Sequence, residues 1–350
     1  MTEGVAPIES NDTRQNLIVF DFVPGGHRRS YVAVLSDELH GKGVFGWRPG
    51  IFRHLLKAKR VIFPTLDGTY LDIFRMLVII ILRGLLGRYT LSISHGAVKI
   101  FQRGFHPKTM WWLLMTSFIK HWPQSSVVSV TPYWVEPRLK KYTNDWIYDV
   151  QFWDLRGERL PTHGMVKDRI GLFRSKAGQR LVLLGIGRQS QRKGSDFMMR
   201  LYNSCPDLRT RFLFVICGAF HGDMGDLRAN FETAGGICFD RDLSDDELLD
   251  CYEEADLIWA CYPPSHNQSS GIFGRALQFG RPVVVREGSY LESLMRELGE
   301  GVAIPNDNFR EAAAKLQQFA NRPVGPTKTD QWKSMRTKTI ETLRGLLELE

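Results

Sequence analysis

The chain has 350 residues, of which 43% are hydrophobic and 24% are charged, and its formal net charge at pH 7 is +8. This composition excludes a disordered, collagen-like or low-complexity chain and favours a folded protein of two domains. The longest apolar run, residues 76–82, is bounded by Arg75 and Arg83 and is too short to span a membrane.

The positive charge is concentrated in the first half of the chain. Residues 1–175 contain 24 Lys and Arg against 14 Asp and Glu, whereas residues 176–350 contain 22 against 24. The excess is largest in residues 48–141, here called the basic zone, with 15 basic and three acidic residues. Nucleic acid, a phospholipid surface or a phosphorylated substrate would each fit such a surface, and a merely solubilising role is the alternative.

Cysteine usage and the N-terminus bear on the compartment. All five cysteines lie in the second half, and no two of them form a CxxC pair. This pattern predicts buried free thiols rather than zinc ligands, as expected in a reducing cytoplasm. The first fifteen residues are polar and have no apolar core of the kind found in a secretion signal.

Taken in chain order, short apolar strands alternate with helices. The first half contains predicted strands at 17–22, 60–64, 90–94 and 125–130, and predicted helices at 30–39 and 72–86. The second half contains predicted strands at 180–185, 211–217, 236–239, 256–260 and 282–285, and predicted helices that start at 194 and span 244–254 and 271–279. This alternation predicts parallel sheets in two blocks, with the boundary inside residues 155–180.

Ligands of open α/β sheets bind beyond the carboxyl ends of the strands, so the loops there are the candidate sites. Gly25 and Gly26 follow the first strand and precede a helix. Paired glycines allow a ligand to approach the backbone next to a helix N-terminus that favours anions. A plain tight turn is an equal alternative.

The loop from Gly185 to Gly194 is the second candidate. Its glycine spacing matches neither GxGxxG nor a P-loop. Arg188 directly follows a strand and Lys193 precedes a helix, so both cations can converge on one diphosphate. A solvated loop is the alternative.

Two further strand ends carry polar groups. Ser269, Ser270 and Gly271 open a helix and would form a second phosphate cradle, although either serine could simply cap the helix. His95 ends the strand SISHG and could face the cleft or be a buried, hydrogen-bonded histidine.

The segments LLGIGRQSQRKGSDFMMRL, FLFVICG, LSDDELLDCYEEADLIWACYPP and SSGIFGRALQFGRPVVVREGS carry a family resemblance. Together, over residues 178–320, they resemble the C-terminal domain of family 4 glycosyltransferases. The resemblance implies an α/β protein of the GT-B fold, with two Rossmann-like parallel-sheet domains facing across a cleft. It also implies a nucleotide-sugar donor, bound mainly by the second domain, and no essential metal.

The resemblance also assigns domains and site residues. It implies an acceptor- and membrane-facing domain at 1–170, a donor-binding domain at 171–325, and a C-terminal helix at 326–350 that packs back on the first domain. The diphosphate-binding Arg and Lys of the family fall on Arg188 and Lys193, and its cleft histidine on His95; these three are the predicted catalytic residues. The predicted donor-binding residues are Gly25, Gly26, Gly187, Gln268, Ser269, Ser270, Gly271 and Arg275.

One departure from the family pattern concerns two glutamates that hold the donor's sugar and ribose. Their positions are occupied by Asn267 and Arg275. We therefore expect Gln268, the two following serines and backbone amides to replace them. The triplet Asp240-Arg241-Asp242 looks like a metal-binding Asp-x-Asp, but it precedes a helix-capping sequence and is interpreted as a loop.

Aromatic residues accompany the basic zone. Trp111, Trp112, Trp122 and Trp134 lie in it among lysines and arginines. Aromatic groups bordered by basic residues suit an anionic membrane surface, with Arg103, Lys108 and Lys120 as candidate lipid contacts. Packing of the first domain's core is the alternative.

The predicted function is transfer of a sugar from a UDP- or GDP-linked donor to a lipid-linked or polysaccharide acceptor, with retention of configuration. No cofactor or metal is expected, and the protein is expected on the cytoplasmic face of a membrane. A non-catalytic protein that binds nucleotide-sugars or glycans is the alternative, because the two glutamates are missing. Nucleic acid is not an expected partner, because no recognition motif accompanies the basic zone.

Overall fold

The computed structural model describes residues 16–25, 27–66, 69–95, 101, 107–155, 172–222, 224–322 and 331–349. Gly26 and Arg103, the side chain of Lys108 and most of the predicted domain boundary lie outside these residues. Among the described residues, no helix is long and apolar enough to cross a bilayer.

The first half forms one six-stranded sheet in the order β2-β1-β3-β4-β5-β6, and every neighbouring pair is parallel. Its strands are β1 (Leu17–Asp21), β2 (Lys42–Phe45), β3 (Arg60–Phe63), β4 (Tyr89–Ser94), β5 (Ser125–Ser129) and β6 (Asp145–Trp146). Its helices are α1 (His27–Glu38), α2 (Ile51–Lys57), α3 (Tyr70–Leu85) and α4 (Pro107–His121).

The second half forms another parallel sheet in the order β12-β11-β10-β7-β8-β9. Its strands are β7 (Leu181–Ile186), β8 (Phe212–Cys217), β9 (Ile237–Phe239), β10 (Leu257–Ala260), β11 (Val283–Arg286) and β12 (Gly301–Ile304). Its helices are α5 (Leu172–Ala177), α6 (Ser195–Ser204), α7 (Leu208–Arg211), α8 (Gly225–Thr233), α9 (Asp245–Glu254), α10 (Gly271–Gln278), α11 (Tyr290–Leu298) and α12 (Phe309–Ala320). A last helix, α13 (Gln331–Leu347), follows.

The prediction of two Rossmann-like parallel sheets is confirmed. Strands buried on both faces read as continuous apolar runs, which is why β1, β7 and β8 were evident from sequence. The predicted capping sequence also holds, because Ser244 and Glu247 form a capping box at the start of α9. Helix α1 begins at His27, three residues before the predicted start, and β2, β6 and β12 were not predicted.

The buried side chains form three clusters, and the largest extends over both domains. It joins one face of each sheet, for example Val19 and Ile93 with Leu184 and Val285, and includes Met335 and Leu343 of α13. The other two clusters each occupy the opposite face of one sheet. The two domains therefore share a continuous hydrophobic core.

Helix α13 contacts the first domain through polar groups as well. Arg336 donates to both carboxylate oxygens of Glu38, at 2.8 and 2.7 Å. The Thr339 hydroxyl accepts from the backbone N–H of Tyr148 at 3.2 Å. These contacts and the shared core tie the end of the chain to its beginning.

Candidate functional site

Each sheet has one point at which its strand order reverses. In the second sheet it lies between β7 and β10, and in the first sheet between β1 and β3. Loops that leave two strands in opposite directions open a crevice there, which is the usual ligand site of such sheets. The loops after β7 and β10 contain most of the predicted site residues.

The loop after β7 is held by Gln189, whose side chain is buried. The Gln189 amide donates to the carbonyl oxygens of Gly187 and Cys217, at 2.6 and 3.1 Å, and accepts from the Ser195 hydroxyl at 2.6 Å. These bonds fix the loop between the strand and α6. The loop is therefore held in one conformation by buried hydrogen bonds and is not simply a solvated connection.

Gly194 brings this loop against the end of β10. Its φ is +73°, and an added Cβ would lie 2.2 Å from the carbonyl oxygen of Cys261. Only glycine fits a backbone that is both left-handed and this close to another backbone. The adjacent Lys193 is thereby positioned next to the loop after β10.

Tyr262 contacts both Lys193 and the entry of α10. The Lys193 Nζ is 5.0 Å from the centre of the Tyr262 ring. The Tyr262 hydroxyl is 2.7 Å from the Ser270 Oγ, which also accepts from the N–H of Phe273 and so caps α10. Burial raises the pKa of Tyr262 to about 12, so this phenol stays neutral.

Arg188 and Gly187 complete this group. Arg188 is exposed, and within the part of the chain that the structure describes its guanidinium makes no hydrogen bond or ion pair. An added Cβ on Gly187 would lie 3.7 Å from Ile272 in the first turn of α10. The structure thus brings Gly187, Lys193 and the α10 entry together, with Arg188 available beside them.

The two serines before α10 have different environments. Ser270 is buried and caps its own helix, as the alternative interpretation of the sequence allowed. Ser269 donates to the carboxylate of Asp149, a residue of the first domain. The first-turn N–H groups of Gly271 and Ile272 have no partner inside the helix, which is where an anion is favoured.

Asp149 connects this entry to the first domain. Its buried carboxylate accepts from the Tyr31 hydroxyl at 2.6 Å and from the N–H of Gln151 at 2.9 Å, besides Ser269. Burial and the Asp149 charge hold the pKa of Tyr31 well above its usual range, so Tyr31 stays a proton donor. Asp149 is therefore the acceptor of three bonds from both domains.

His95 lies next to this group at the end of β4. Its Nε2 is 2.8 Å from the carbonyl oxygen of Pro64, and its ring is 4.7 Å from that of Tyr31, centre to centre. Pro64 follows β3, so His95 lies at the reversal point of the first sheet. Gly25, after β1, is exposed, with open space where a Cβ would be.

Comparisons with known proteins identify the architecture. No protein-family model matches the chain, and no curated protein matches it. Among solved structures, Anabaena Alr3699/HepE in complex with UDP is 12% identical, with a TM-score of 0.64 over 95% of this chain and 98% of that one. The chain has the GT-B fold. WaaG, a glycosyltransferase involved in lipopolysaccharide biosynthesis, is 16% identical, with a TM-score of 0.53 over 95% and 99%.

The GT-B fold by itself admits more than one chemistry. A UDP-N-acetylglucosamine 2-epimerase from Listeria monocytogenes is 12% identical, with a TM-score of 0.58 over 97% of this chain and 98% of that one. HepE has also been solved with UDP-glucose, at 13% identity and with a TM-score of 0.59 over 95% of this chain and 98% of that one. The reaction must therefore be argued from this chain's own residues.

The two positions without glutamate make internal contacts. The Asn267 Oδ1 accepts from the N–H of Tyr290 at 2.7 Å, in a buried setting. Arg275 lies 3.5 Å from the Asp154 carboxylate, which also accepts from Gln278 at 3.0 Å. Burial raises the pKa of Asp154, whereas Arg275 acts to lower it. In this GT-B chain, the ion pair between Arg275 and Asp154 connects α10 to the first domain.

Replacing Arg275 by alanine should therefore destabilise the protein. Among the described residues, Arg275 is the cation that pairs with Asp154. Without it, Asp154 would lie unpaired in a site where burial already disfavours the carboxylate, at a cost of about 1–3 kcal/mol. Thermal unfolding measures the effect. Arg188→Ala, which removes an exposed arginine without a partner among the described residues, is the matched control and should leave Tm unchanged. An Arg275→Ala protein with the native Tm would show that the pair contributes nothing.

The Asp240-Arg241-Asp242 triplet is a loop, as interpreted from sequence. Asp240 accepts from the N–H of Phe220 at 3.0 Å and pairs with Arg228, and Arg241 pairs with Glu247 of α9. The Asp240 carboxylate therefore has structural partners within the second domain.

Gln268 is also a predicted donor-binding residue. Its side-chain amide lies 3.3 Å from the Nε2 of His266.

Four residues of the site were not found from sequence: Tyr31, Asp149, Gln151 and Tyr262. Tyr262 directly follows a strand that ends at the reversal point, so its position alone could have indicated a role. The other three come from the first domain, more than 100 residues away from α10 along the chain. No local pattern connects them to it.

Proposed function

We propose that the protein is a glycosyltransferase that moves a sugar from a nucleotide diphosphate-sugar to an acceptor hydroxyl. The observation that carries the proposal is the group formed by Arg188, Lys193 and the first turn of α10 at one reversal point. Two cations and a helix N-terminus are the groups that bind a diphosphate. The solved complexes of HepE with UDP and with UDP-glucose support a nucleotide-sugar as the ligand of this fold.

The same group accounts for catalysis. The bond between the sugar C1 and the diphosphate oxygen breaks, a bond from C1 to the acceptor oxygen forms, and the acceptor proton passes to the leaving phosphate. Negative charge grows on the diphosphate as the first bond breaks. Arg188, Lys193 and the α10 amides would stabilise that charge more strongly in the transition state than in the ground state.

The remaining assignments follow from this chemistry. The acceptor oxygen attacks C1 on the face that the diphosphate leaves, which retains configuration. Its proton passes to the leaving phosphate on that same face, so no side-chain base is required. The two cations supply the charge that a metal would otherwise supply, so we propose a metal-independent reaction of a UDP- or GDP-linked hexose. His95, beside Tyr31 at the reversal point of the first sheet, is placed to bind the sugar or the acceptor.

We further propose that the acceptor is lipid-linked or a polysaccharide and that the enzyme acts in the cytoplasm at a membrane. The five cysteines are free thiols, which fits a reducing compartment. The basic zone, on the domain opposite the donor site, fits an anionic surface.

A panel of nucleotide-sugars tests the proposal. The donor is the compound that raises Tm on binding, and incubation with glycan and lipid-linked acceptors should release the nucleoside diphosphate only when the acceptor is present. An anomeric assignment of the product by NMR tests retention, and EDTA tests independence from metal.

A non-catalytic nucleotide-sugar- or glycan-binding protein is the second candidate. It is favoured by Asn267 and Arg275, which make internal contacts where the related enzymes have two glutamates that hold the donor. In that case the donor raises Tm but no nucleoside diphosphate is released with any acceptor.

Gly271→Val tests the α10 entry. An added Cβ at Gly271 would lie 2.6–2.8 Å from the end of the Gln151 side chain, which can move aside, so the fold should survive. The valine would, however, block the approach of a phosphate to the first-turn amides, and donor affinity should fall at least about tenfold by calorimetry.

The double variant Gly271→Val/Gln151→Ala is the control. It removes the contact with Gln151, so any loss of Tm should be recovered while donor affinity stays low. Native donor affinity in Gly271→Val would contradict a role for this helix entry.

A further inference from the structure

The exposed hydrophobic side chains are concentrated in the first domain. Among the described residues, the twelve large hydrophobic side chains with high exposure all lie between Val23 and Trp134. Eight of these belong to α3 and α4: Tyr70, Leu71, Phe74, Leu85, Met110, Trp111, Leu114 and Phe118. So many on one part of a surface mark an interaction site rather than ordinary scatter.

Helix α3 is apolar on both of its faces. Its buried face consists of Met76, Ile79 and Ile80, and is followed by the buried Arg83, whose guanidinium is hydrogen-bonded to Thr90 and to backbone carbonyls. The opposite face has the helical spacing 71, 74, 78, 81 and 85 and consists of Leu71, Phe74, Val78, Ile81 and Leu85. Phe74 is 63% exposed and Leu85 71%. A surface helix ordinarily has polar residues there, so this face requires an apolar partner.

Helix α4 repeats the pattern. Trp111, Leu114 and Phe118 follow one another at spacings of three and four, and Leu114 is 62% exposed. Met115 and Ile119 on the other side join Met76 and Ile80 of α3 in the same buried cluster.

The two helices form one surface, which we call the α3–α4 face. An added Cβ on Gly84 of α3 would lie 2.3 Å from the Trp122 Nε1, directly after α4, so the C-terminal ends of the helices touch. Both helices follow strands of one parallel sheet and so run in the same direction. Their outer apolar residues therefore lie side by side.

Charge selects the partner of this face. The basic zone, which contains both helices, has 15 basic and three acidic residues. Of the two described acidic residues, Asp72 belongs to the capping box of α3 and Glu136 pairs with Arg138 at 2.6 Å. An apolar face with aromatic residues inside a strongly basic region complements an anionic lipid surface, whereas a second copy would bring like charges together.

We propose that the α3–α4 face inserts into the interface of an anionic lipid bilayer. Both helices begin at the carboxyl edge of the first sheet, the edge at which His95 lies, and Leu71, Phe74, Trp111 and Leu114 lie in their N-terminal halves. The cleft would then open close to the bilayer. A lipid-anchored acceptor could reach the cleft without leaving the membrane. This role of the face rests on the proposed transferase activity, whereas docking of the face on the bilayer does not.

Two of the four tryptophans of the basic zone are packed into the first domain and two are exposed. Trp112 and Trp122 pack against the buried cluster, while Trp111 and Trp134 are 49% and 46% exposed. Lys120 donates to the carbonyl oxygen of Lys140 at 2.6 Å, so its reversal would disturb the fold as well as the charge. Substitutions on the apolar face therefore give the cleaner test.

Co-sedimentation with vesicles of phosphatidylcholine, with and without phosphatidylglycerol, tests the proposal. The full chain should bind the anionic vesicles strongly in low salt and keep part of the binding in high salt, because apolar insertion is not screened. Phe74→Glu/Leu114→Glu should weaken partitioning at least about tenfold. Ala229→Glu/Asn230→Glu, which adds the same two negative charges at exposed positions of α8 in the second domain, should not change it.

Several outcomes would overturn docking. The native chain could stay in the supernatant with anionic vesicles in low salt, or the double variant could partition like the native chain. A concentration-dependent dimer of the native chain that the double variant abolishes, without any vesicle binding, would also overturn it.

If the double variant does not fold, Trp111→Phe replaces it. Quenching of tryptophan fluorescence by brominated lipid should then fall, whereas Trp259→Phe, which removes a buried indole, should leave it unchanged. Calorimetry with the donor separates the two proposals, since donor affinity tests the second domain and is expected to be native in the double variant.

Discussion

Arg188→Ala and Lys193→Ala should each lower kcat/KM about 10- to 150-fold. If these residues bind the donor diphosphate as proposed, each substitution removes a charge-assisted contact, which is typically equivalent to about 1.5–3 kcal/mol. The effect should fall mainly on kcat, because the diphosphate gains charge in the transition state. Steady-state kinetics with the identified donor measures it.

Arg192→Ala is the matched control for these two variants. Arg192 lies in the same loop and is exposed. Unlike Arg188 it does not follow the strand end, and unlike Lys193 it does not directly precede Gly194. Its replacement should change kcat/KM less than threefold, an order-of-magnitude expectation for a screened surface charge. Native turnover in both Arg188→Ala and Lys193→Ala would refute the assignment of the diphosphate site.

Replacing Asp149 by alanine should cause the largest loss of stability. The Tyr31 hydroxyl and the Gln151 N–H would lose their acceptor inside a buried interface, and each unsatisfied group costs about 1–3 kcal/mol. The expected loss is therefore about 2–5 kcal/mol, visible as a lower denaturant midpoint in equilibrium unfolding.

Two comparisons make this result specific to the acceptor role. Asp149→Asn keeps one oxygen acceptor and should lose less stability. Asp145→Ala removes a partly exposed carboxylate that, among the described residues, accepts from the adjacent N–H of Trp146 alone, and should have a small effect. Equal midpoints for Asp149→Ala and Asp145→Ala would show that the three bonds to Asp149 do not stabilise the interface.

Much of the fold could be predicted because buried parallel strands are continuous apolar runs. Two of the three strands that were not predicted, β2 and β6, lack such runs. In β2 only Val44 is buried, and β6 has two residues. Helix α4 was missed because its sequence, from Thr109 to Ile119, is apolar on most sides and shows little helical contrast.

The site could be predicted only where it is local in sequence. The reversal-point rule directed attention to the loops that contain Lys193 and Ser270, and the structure brings these loops together. It could not reveal that Ser269 donates to Asp149, 120 residues earlier, since contacts between domains leave no periodic pattern. Nor could sequence distinguish the two faces of α3, because an apolar residue looks the same whether it is buried or exposed.

The core shared by the two domains bears on how this protein could be re-engineered. In the proposed transferase the second domain binds the donor, which suggests exchanging that domain as a module to change donor specificity. Here Gln278 of α10 bonds to the backbone of Gln151 and Leu155, and α13 completes the core of the first domain. A chimera cut at the predicted boundary would separate these surfaces. A transplant that keeps its fold must carry residues 149–155 and α13 from the same parent.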